Sequence, residues 1–225
     1  MKPLRRGTFF KVEPLFFRLH PYFYPLAVCY GPVHTTRYMD IFNHIFDPTT
    51  GAPAQWAYQD FEECTFQNLT LSKAILSHAN LVNCRFENCT LDAALLKDTR
   101  LNEVQFLQCK LLGVNFEHCN PFAFAVGFQA CNLDQTYFFN RNLKKTKFES
   151  CGLKGASFIN CELNGAVFKD CNLESAVFIN NTLTQADFST SYNLVLDPEQ
   201  NKLKKTRFSL HSLPGLLTKY DLVIT

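Results

Sequence analysis

Cysteine is the residue type with the most chemistry to offer in this chain, which holds ten of them. Five of them, Cys89, Cys109, Cys131, Cys151 and Cys171, follow one another at intervals of 20, 22, 20 and 20 residues. Evenly spaced thiolates ligate zinc when they converge tetrahedrally, and they build a disulfide framework when the compartment is oxidising. Other catalytic signals are weaker. The six histidines (20, 34, 44, 78, 118 and 211) form no His-x-x-x-His pair. There is no G-x-S-x-G elbow, no P-loop and no G-x-G-x-x-G turn. The carboxylates stand singly, as solubilising residues do. These observations predict a binding protein rather than an enzyme, with no cofactor and no metal.

The elements that position the cysteines come from a five-residue period. Stepping by five from Phe61 to Phe116 meets Leu or Phe at all twelve positions, and from Phe128 to Phe188 at all thirteen. Two residues before each of these centres stands a small residue, usually Cys, Ala, Thr or Val, and the residues between are mostly polar. Two inward positions in five fit neither a helix of period 3.6 nor a strand of period 2. A twenty-residue period is superimposed. Phe66, Phe86 and Phe106 align, a two-residue insertion intervenes, and Phe128, Phe148, Phe168 and Phe188 continue the column. The next column is pure Leu: Leu71, Leu91, Leu111, Leu133, Leu153 and Leu173. Four pentapeptides therefore make one coil. Coils paired as parallel strands stack about 4.8 Å apart, so six to seven coils predict a rod roughly 30 Å long. The five cysteines become one inward column of parallel thiols. Parallel thiols do not converge on a metal, so they read as small apolar fillers, and their spacing allows a disulfide by distance alone.

The triplets Ala79-Asn80-Leu81, Cys131-Asn132-Leu133, Cys171-Asn172-Leu173 and Ala186-Asp187-Phe188 resemble the A/C-D/N-L/F signature of the pentapeptide-repeat family. That resemblance implies an all-β fold, a right-handed quadrilateral β-helix, and it covers roughly residues 60–190. It is similar in particular to the quinolone-resistance and microcin-immunity members. Those members imply a partner, DNA gyrase or a related type II topoisomerase, engaged by mimicry of a duplex. Glu62, Glu63, Glu87, Asp92, Asp98, Glu103 and Glu117 would then stand in for phosphates. Two departures stand against that reading. Residues 60–189 hold 14 Asp/Glu against 11 Lys/Arg, and a two-residue insertion replaces the long projecting loops of the resistance proteins. The alternatives are a structural scaffold for another protein, and a membrane-surface protein acting through residues 1–38.

Residues 1–38 carry six Lys/Arg and one acid. Removing those from the totals of 22 and 20 leaves 16 basic and 19 acidic residues in the remainder, too balanced for a nucleic-acid binder. Arg18, His20, Pro21 and Pro25 interrupt every apolar run, so the segment offers neither a signal-peptide core nor a span of about 20 apolar residues. It reads as an unstructured basic and aromatic extension without a clean amphipathic period, and Met39 is a candidate start. A reducing, cytoplasmic setting with free thiols follows. Residues 39–60 are expected to form an N-terminal cap with Trp56 and Tyr58, residues 61–190 the β-helix, and residues 191–225 a C-terminal cap. In that cap Asp197–Asn201 reads as a turn, and Phe208 as one more edge, twenty beyond Phe188. Ser212 is the expected N-cap of a short helix whose Leu213, Leu216 and Leu217 share a face, followed by an extended Asp221–Thr225 segment. These form a candidate homodimer contact. Three irregularities remain. Pro121 falls on a centre within the insertion, which predicts a bulge. Arg141 occupies an inward small-residue position, where it needs either a bulge or freed carbonyls as partners. Tyr137, Phe139, Ile159, Val177 and Ile179 are apolar at outward positions and line up as one stripe, either covered by the tail or offered to a partner.

Overall fold

The computed structural model describes residues 40–223. The expected 1–38 extension with its membrane-surface alternative, the candidate start at Met39, and the terminal Ile224 and Thr225 lie outside the described residues.

The five-residue unit makes a corner. Its centre residue points inward from extended backbone, and the residue two positions later turns the chain through the left-handed region. Asn68, Asn83, Asn88, Asn140, Asn160 and Asn180 all hold φ between 51° and 56° there. L-residues avoid this region, and Asn, Asp and Gly tolerate it best. That explains why Asn recurs after the Leu or Phe centres and why Gly113, Gly155 and Gly165 take the same place with φ of 66° to 67°. Four such corners close one coil, which gives a four-sided parallel β-solenoid. Side one carries the centres Phe61, Leu81 and Leu101, and side two Phe66, Phe86 and Phe106. Side three carries Leu71, Leu91 and Leu111, and side four Leu76, Leu96 and Phe116.

Side two is one continuous parallel sheet of nine strands, from Ile45–Phe46 to Arg207–Phe208. Phe46, Phe66, Phe86, Phe106, Phe128 and Phe148 pair in register along it, and Phe188 pairs with Phe208 at its far end. Eight inter-strand steps of about 4.8 Å make the rod about 38 Å long, longer than the sequence period suggests. The extra length comes from both ends. Asp40–Phe42 pairs with Asp60–Glu62 and Ile45–Phe46 with Thr65–Gln67, so the residues expected as an N-terminal cap are themselves a coil. Ile41 and Trp56 fill centre positions there without being Leu or Phe. Trp56 is buried, with its ring 4.8 Å from Phe66 and 5.4 Å from Phe61. Tyr58 stays exposed and stacks on His78 at 4.6 Å.

The core is two aromatic ladders meeting at right angles. Phe128, Phe148 and Phe168 stack at 5.3 and 4.7 Å with nearly parallel rings. Phe116, Phe138, Phe158 and Phe178 stack at 4.8, 5.0 and 4.9 Å. Between the ladders the rings meet edge to face, as at Phe138 and Phe148, 6.0 Å apart at 85°, the geometry the ring quadrupole favours.

The insertion divides the rod. Side-one strands run through Arg100–Asn102 and stop; full strands then appear on side four as Tyr137–Phe139, Ser157–Ile159 and Val177–Ile179. Pro121 lacks the N–H that would continue the side-one ladder. The chain bulges there as expected, and Pro121 does not act as a centre. Phe122 projects outward at 74% exposure, and Phe124 turns in to fill the vacated corner, its ring 6.3 Å from Phe116.

The C-terminal cap differs from its sequence reading. Leu210–Leu216 and Thr218–Tyr220 are 3-10 turns. Ser209 is the N-cap, its side chain accepting from the Ser212 N–H at 3.2 Å, while Ser212 is buried inside the turn. Three residues per turn keep Leu213 and Leu216 on one side and rotate Leu217 away. Leu216 packs on the core, and Leu213 and Leu217 are exposed. Gly215 passes so close to the Leu194 carbonyl that a Cβ would collide with it. Asp221 makes a left-handed turn, with φ of 50°, rather than starting a strand. Among the described residues no helix is long and apolar enough to cross a membrane.

Candidate partner surface

Side four carries the apolar stripe. Tyr137, Ser157 and Val177 form one outward column in strict register, and Phe139, Ile159 and Ile179 form the next. All five expected residues therefore share one face. Tyr137 is 48% exposed, and Phe139, Ile159 and Ile179 are half-buried among their neighbours. The stripe is longer than expected. Ile75 is bridged to Leu95 and Asn115 to Tyr137 along this column, and Ile75 and Leu95 are 57% and 54% exposed. They precede the centres Leu76 and Leu96 as Tyr137 and Val177 precede Phe138 and Phe178, so their position in the repeat was the signal that pointed to them. The C-terminal tail anchors at the end of the rod instead. Lys219 bonds Asp197 at 2.9 Å and Glu199 at 2.6 Å, and Tyr220 bonds Glu199 at 2.8 Å.

The seven candidate carboxylates are not brought together. Glu62 lies on side one, and Glu63 and Glu103 at corners between sides one and two, both with positive φ. Glu87 lies on side two, ion-paired with Arg85 and accepting from Gln67 at 2.9 Å. Asp92 follows a side-three centre and accepts the Leu112 N–H at 2.9 Å. Asp98 sits at the corner between sides four and one, 3.8 Å from His78. Glu117 lies in the 3-10 turn Phe116–His118 on side four. The repeat places consecutive pentapeptides on different sides, so acids close in sequence point in four directions.

The cysteines line the inside as donors. Cys109 Sγ reaches the carbonyls of Leu107 and Phe86 at 3.2 and 3.4 Å, and Cys171 those of Phe148 and Lys169 at 3.3 and 3.4 Å. Burial pushes the Cys84 and Cys119 thiols up to about 12, and Cys161 to about 11. Among the described residues no three metal-ligating side chains cluster.

Arg141 belongs to a column of inward donors. Thr99, Cys161, Asn181 and Asn201 each reach a side-four centre's carbonyl in the preceding coil, at 2.8, 3.2, 2.8 and 2.8 Å. Arg141 fills the same place with a longer side chain. Its Nε donates to Phe139 O at 3.1 Å and its Nη1 to Cys119 O at 2.9 Å, with the guanidinium carbon 5.6 Å from the Phe124 ring. Of the two arrangements the sequence left open, the freed carbonyl is the one found. The equivalents of Cys119 O in neighbouring coils accept ladder N–H groups, as Arg141 O does from Glu162. At Cys119 the guanidinium takes that acceptor in place of the Asn142 N–H.

Comparisons with known proteins agree with this architecture. The pentapeptide repeat region model matches residues 59–138, and the model of eight-copy pentapeptide repeats matches residues 131–170 and 156–191. No curated protein sequence matches the chain. Among solved structures, it is similar to a trypsin-treated variant of QnrB1, a plasmid-mediated fluoroquinolone resistance protein. There the identity is 15% and the TM-score 0.48, over 84% of this chain and 98% of that one. It is also similar to HetL, a protein involved in heterocyst differentiation regulation in the cyanobacterium Nostoc, at 16% identity and a TM-score of 0.26 over 70% and 90%. A third, Rfr23 from the cyanobacterium Cyanothece, is 13% identical with a TM-score of 0.33 over 68% and 88%. The repeat models, together with the register of the coils, show that the chain belongs to the pentapeptide repeat family.

Proposed function

We propose that the protein is a non-catalytic solenoid that binds another protein through side four, as a homodimer in a reducing, cytoplasmic setting. The observation that carries this reading is the apolar stripe on side four, where Ile75, Leu95, Tyr137 and Val177 are exposed in one column and Phe139, Ile159 and Ile179 line up beside it. Contiguous exposed apolar surface on a folded protein marks an interaction site. A flat parallel-sheet face suits an extended protein surface better than a small substrate, since among the described residues no enclosing pocket backs it. The dimer reading rests on exposed Leu210, Leu213, Leu217 and Leu222 at the C-terminal end of the rod.

The family resemblance implies a type II topoisomerase as the partner. Its duplex-mimic form needs a concentrated acidic face, and the seven carboxylates lie on four sides, so we place recognition on the stripe instead. The test is affinity capture with the intact chain and with a Tyr137→Lys/Val177→Lys variant, quantified side by side. A partner retained by the intact chain and lost by a variant that melts normally supports side four. Equal retention by both moves recognition elsewhere. A supercoiling assay with purified gyrase, at several salt concentrations, tests the topoisomerase directly. Inhibition lost in the variant supports gyrase at side four. Inhibition kept in the variant but abolished by salt points to the exposed carboxylates.

A further inference from the structure

The insertion leaves a cleft that neither the repeat nor side four uses. It lies at the corner of sides one and two, between the Phe124–Gly127 segment and Lys144–Lys147, and encloses about 440 Å³. Three kinds of donor open onto it. Thr146 is only 8% exposed, and its hydroxyl has no hydrogen-bond partner among the described residues. Every fully enclosed side-chain oxygen or nitrogen there is partnered, so this hydroxyl is open to the cleft it lines. Thr206, three coils on in the same column, bonds Leu183 O at 2.8 Å. The corresponding carbonyl for Thr146 belongs to the segment that the insertion displaced. The backbone N–H of Asn142 is the second donor, without a partner among the described residues because Arg141 takes Cys119 O. The third is a pair of ammonium groups, Lys145 and Lys147, which have no carboxylate partner among the described residues; Lys144 pairs with Glu162. Glu103 lines the same cleft, so three lysines face one carboxylate in its lining. Gly127 leaves room for the Gln105 side chain, which lies over it and lines the same cleft.

We propose that this cleft binds a phosphoryl group, as free phosphate or a small phosphate monoester. Lys145 and Lys147 supply the charge, and the Thr146 hydroxyl and Asn142 N–H supply neutral donors. Donors converging from a strand, a corner and a backbone amide suit a tetrahedral oxyanion, for which lysine serves as a point charge. The site is independent of the side-four reading, because it lies on another part of the coil and needs no protein partner.

The test is isothermal titration calorimetry of the full chain with potassium phosphate and with adenosine monophosphate, in chloride at constant ionic strength. One saturable site is expected for at least one of them. Tighter binding of the nucleotide assigns a monoester, and equal affinity assigns the phosphoryl group alone. Affinity should fall at least roughly tenfold in Lys145→Ala/Lys147→Ala and in Thr146→Val, the loss expected for hydrogen bonds to a charged group. Thr146→Ser should restore it, which separates the hydroxyl's role from any packing defect of the valine. Lys73→Ala, at the corner that follows the side-three centre Leu71, across the coil from the cleft, should bind as the parent does. No saturable heat with either ligand overturns the proposal, as does unchanged affinity in the lysine pair or in a folded Thr146→Val protein.

Discussion

Arg141 donates from Nη1 to the backbone carbonyl of Cys119, one coil earlier, at 2.9 Å. A buried guanidinium is costly unless its donors are satisfied, and here it replaces a missing ladder bond while leaning on the Phe124 ring. Arg141→Ala should strip donors from two carbonyls. A loss of about 1–3 kcal/mol follows, or a melting temperature lower by about 3–10 °C for a chain of this size. Thermal circular dichroism measures it. A variant that melts at or above the parent would show that the carbonyls need no donor.

The phenylalanines of the insertion and the ladder separate packing from exposure. Phe148 is fully buried between Phe128 and Phe168, so Phe148→Ala should cost about 3–5 kcal/mol by urea denaturation. Phe122 projects into solvent, so Phe122→Ala should change stability by no more than about 0.5 kcal/mol. Phe124→Ala should resemble Phe148→Ala, since Phe124 occupies the place of a centre. Equal costs at Phe122 and Phe124 would contradict the arrangement of the bulge.

With thiol values near 12 at Cys84 and Cys119, almost no thiolate is present at pH 8. All nine cysteines of the rod are buried, Cys171 included although its hydrogen bond with Cys151 lowers its thiol, so they should resist a thiol reagent in the native protein and react fully in denaturant without reductant. Fast native titration of several thiols, or stoichiometric zinc by elemental analysis, would contradict buried filler cysteines.

Asp47 accepts from the Thr49 hydroxyl and from the N–H groups of Thr50 and Thr49, which lowers its value to about 2. A carboxyl depressed on folding stabilises fully above its unfolded value of about 3.9, and that contribution fades as pH falls through the folded value. The first coil should therefore loosen between about pH 4 and pH 2. Trp56, the single tryptophan, sits in the same coil and reports it. Its emission should shift in that window in the parent and stay flat in Asp47→Ala. The same shift in the variant would assign it to other groups.

The C-terminal end should hold the dimer. Light scattering at tens of micromolar should give twice the chain mass, and removal of residues 210–225 should give a monomer or an aggregate. A monomeric intact chain would leave Leu210, Leu213 and Leu217 without that role.

Much of the fold was legible because a solenoid maps distance along the chain onto distance in space. Residues twenty apart touch, so the Phe and Leu columns, and the alignment of Tyr137, Ile159 and Val177, follow from counting alone. The repeat also revealed the break at Pro121 and the anomaly of Arg141. The tertiary structure decided what does not repeat. Ile41, Phe46 and Trp56 enter the core only because packing accepts any large apolar side chain of the right volume, so the rod begins a coil earlier than the Leu and Phe count shows. Phe124 becomes a centre in place of Pro121, because the ladder needs an N–H that proline lacks. The candidate carboxylates scatter, because each left-handed corner turns the next residue onto a new side. The Thr146 hydroxyl, unpartnered among the described residues, and the partners of Arg141 depend on which carbonyls the bulge displaced, and only three-dimensional placement settles that.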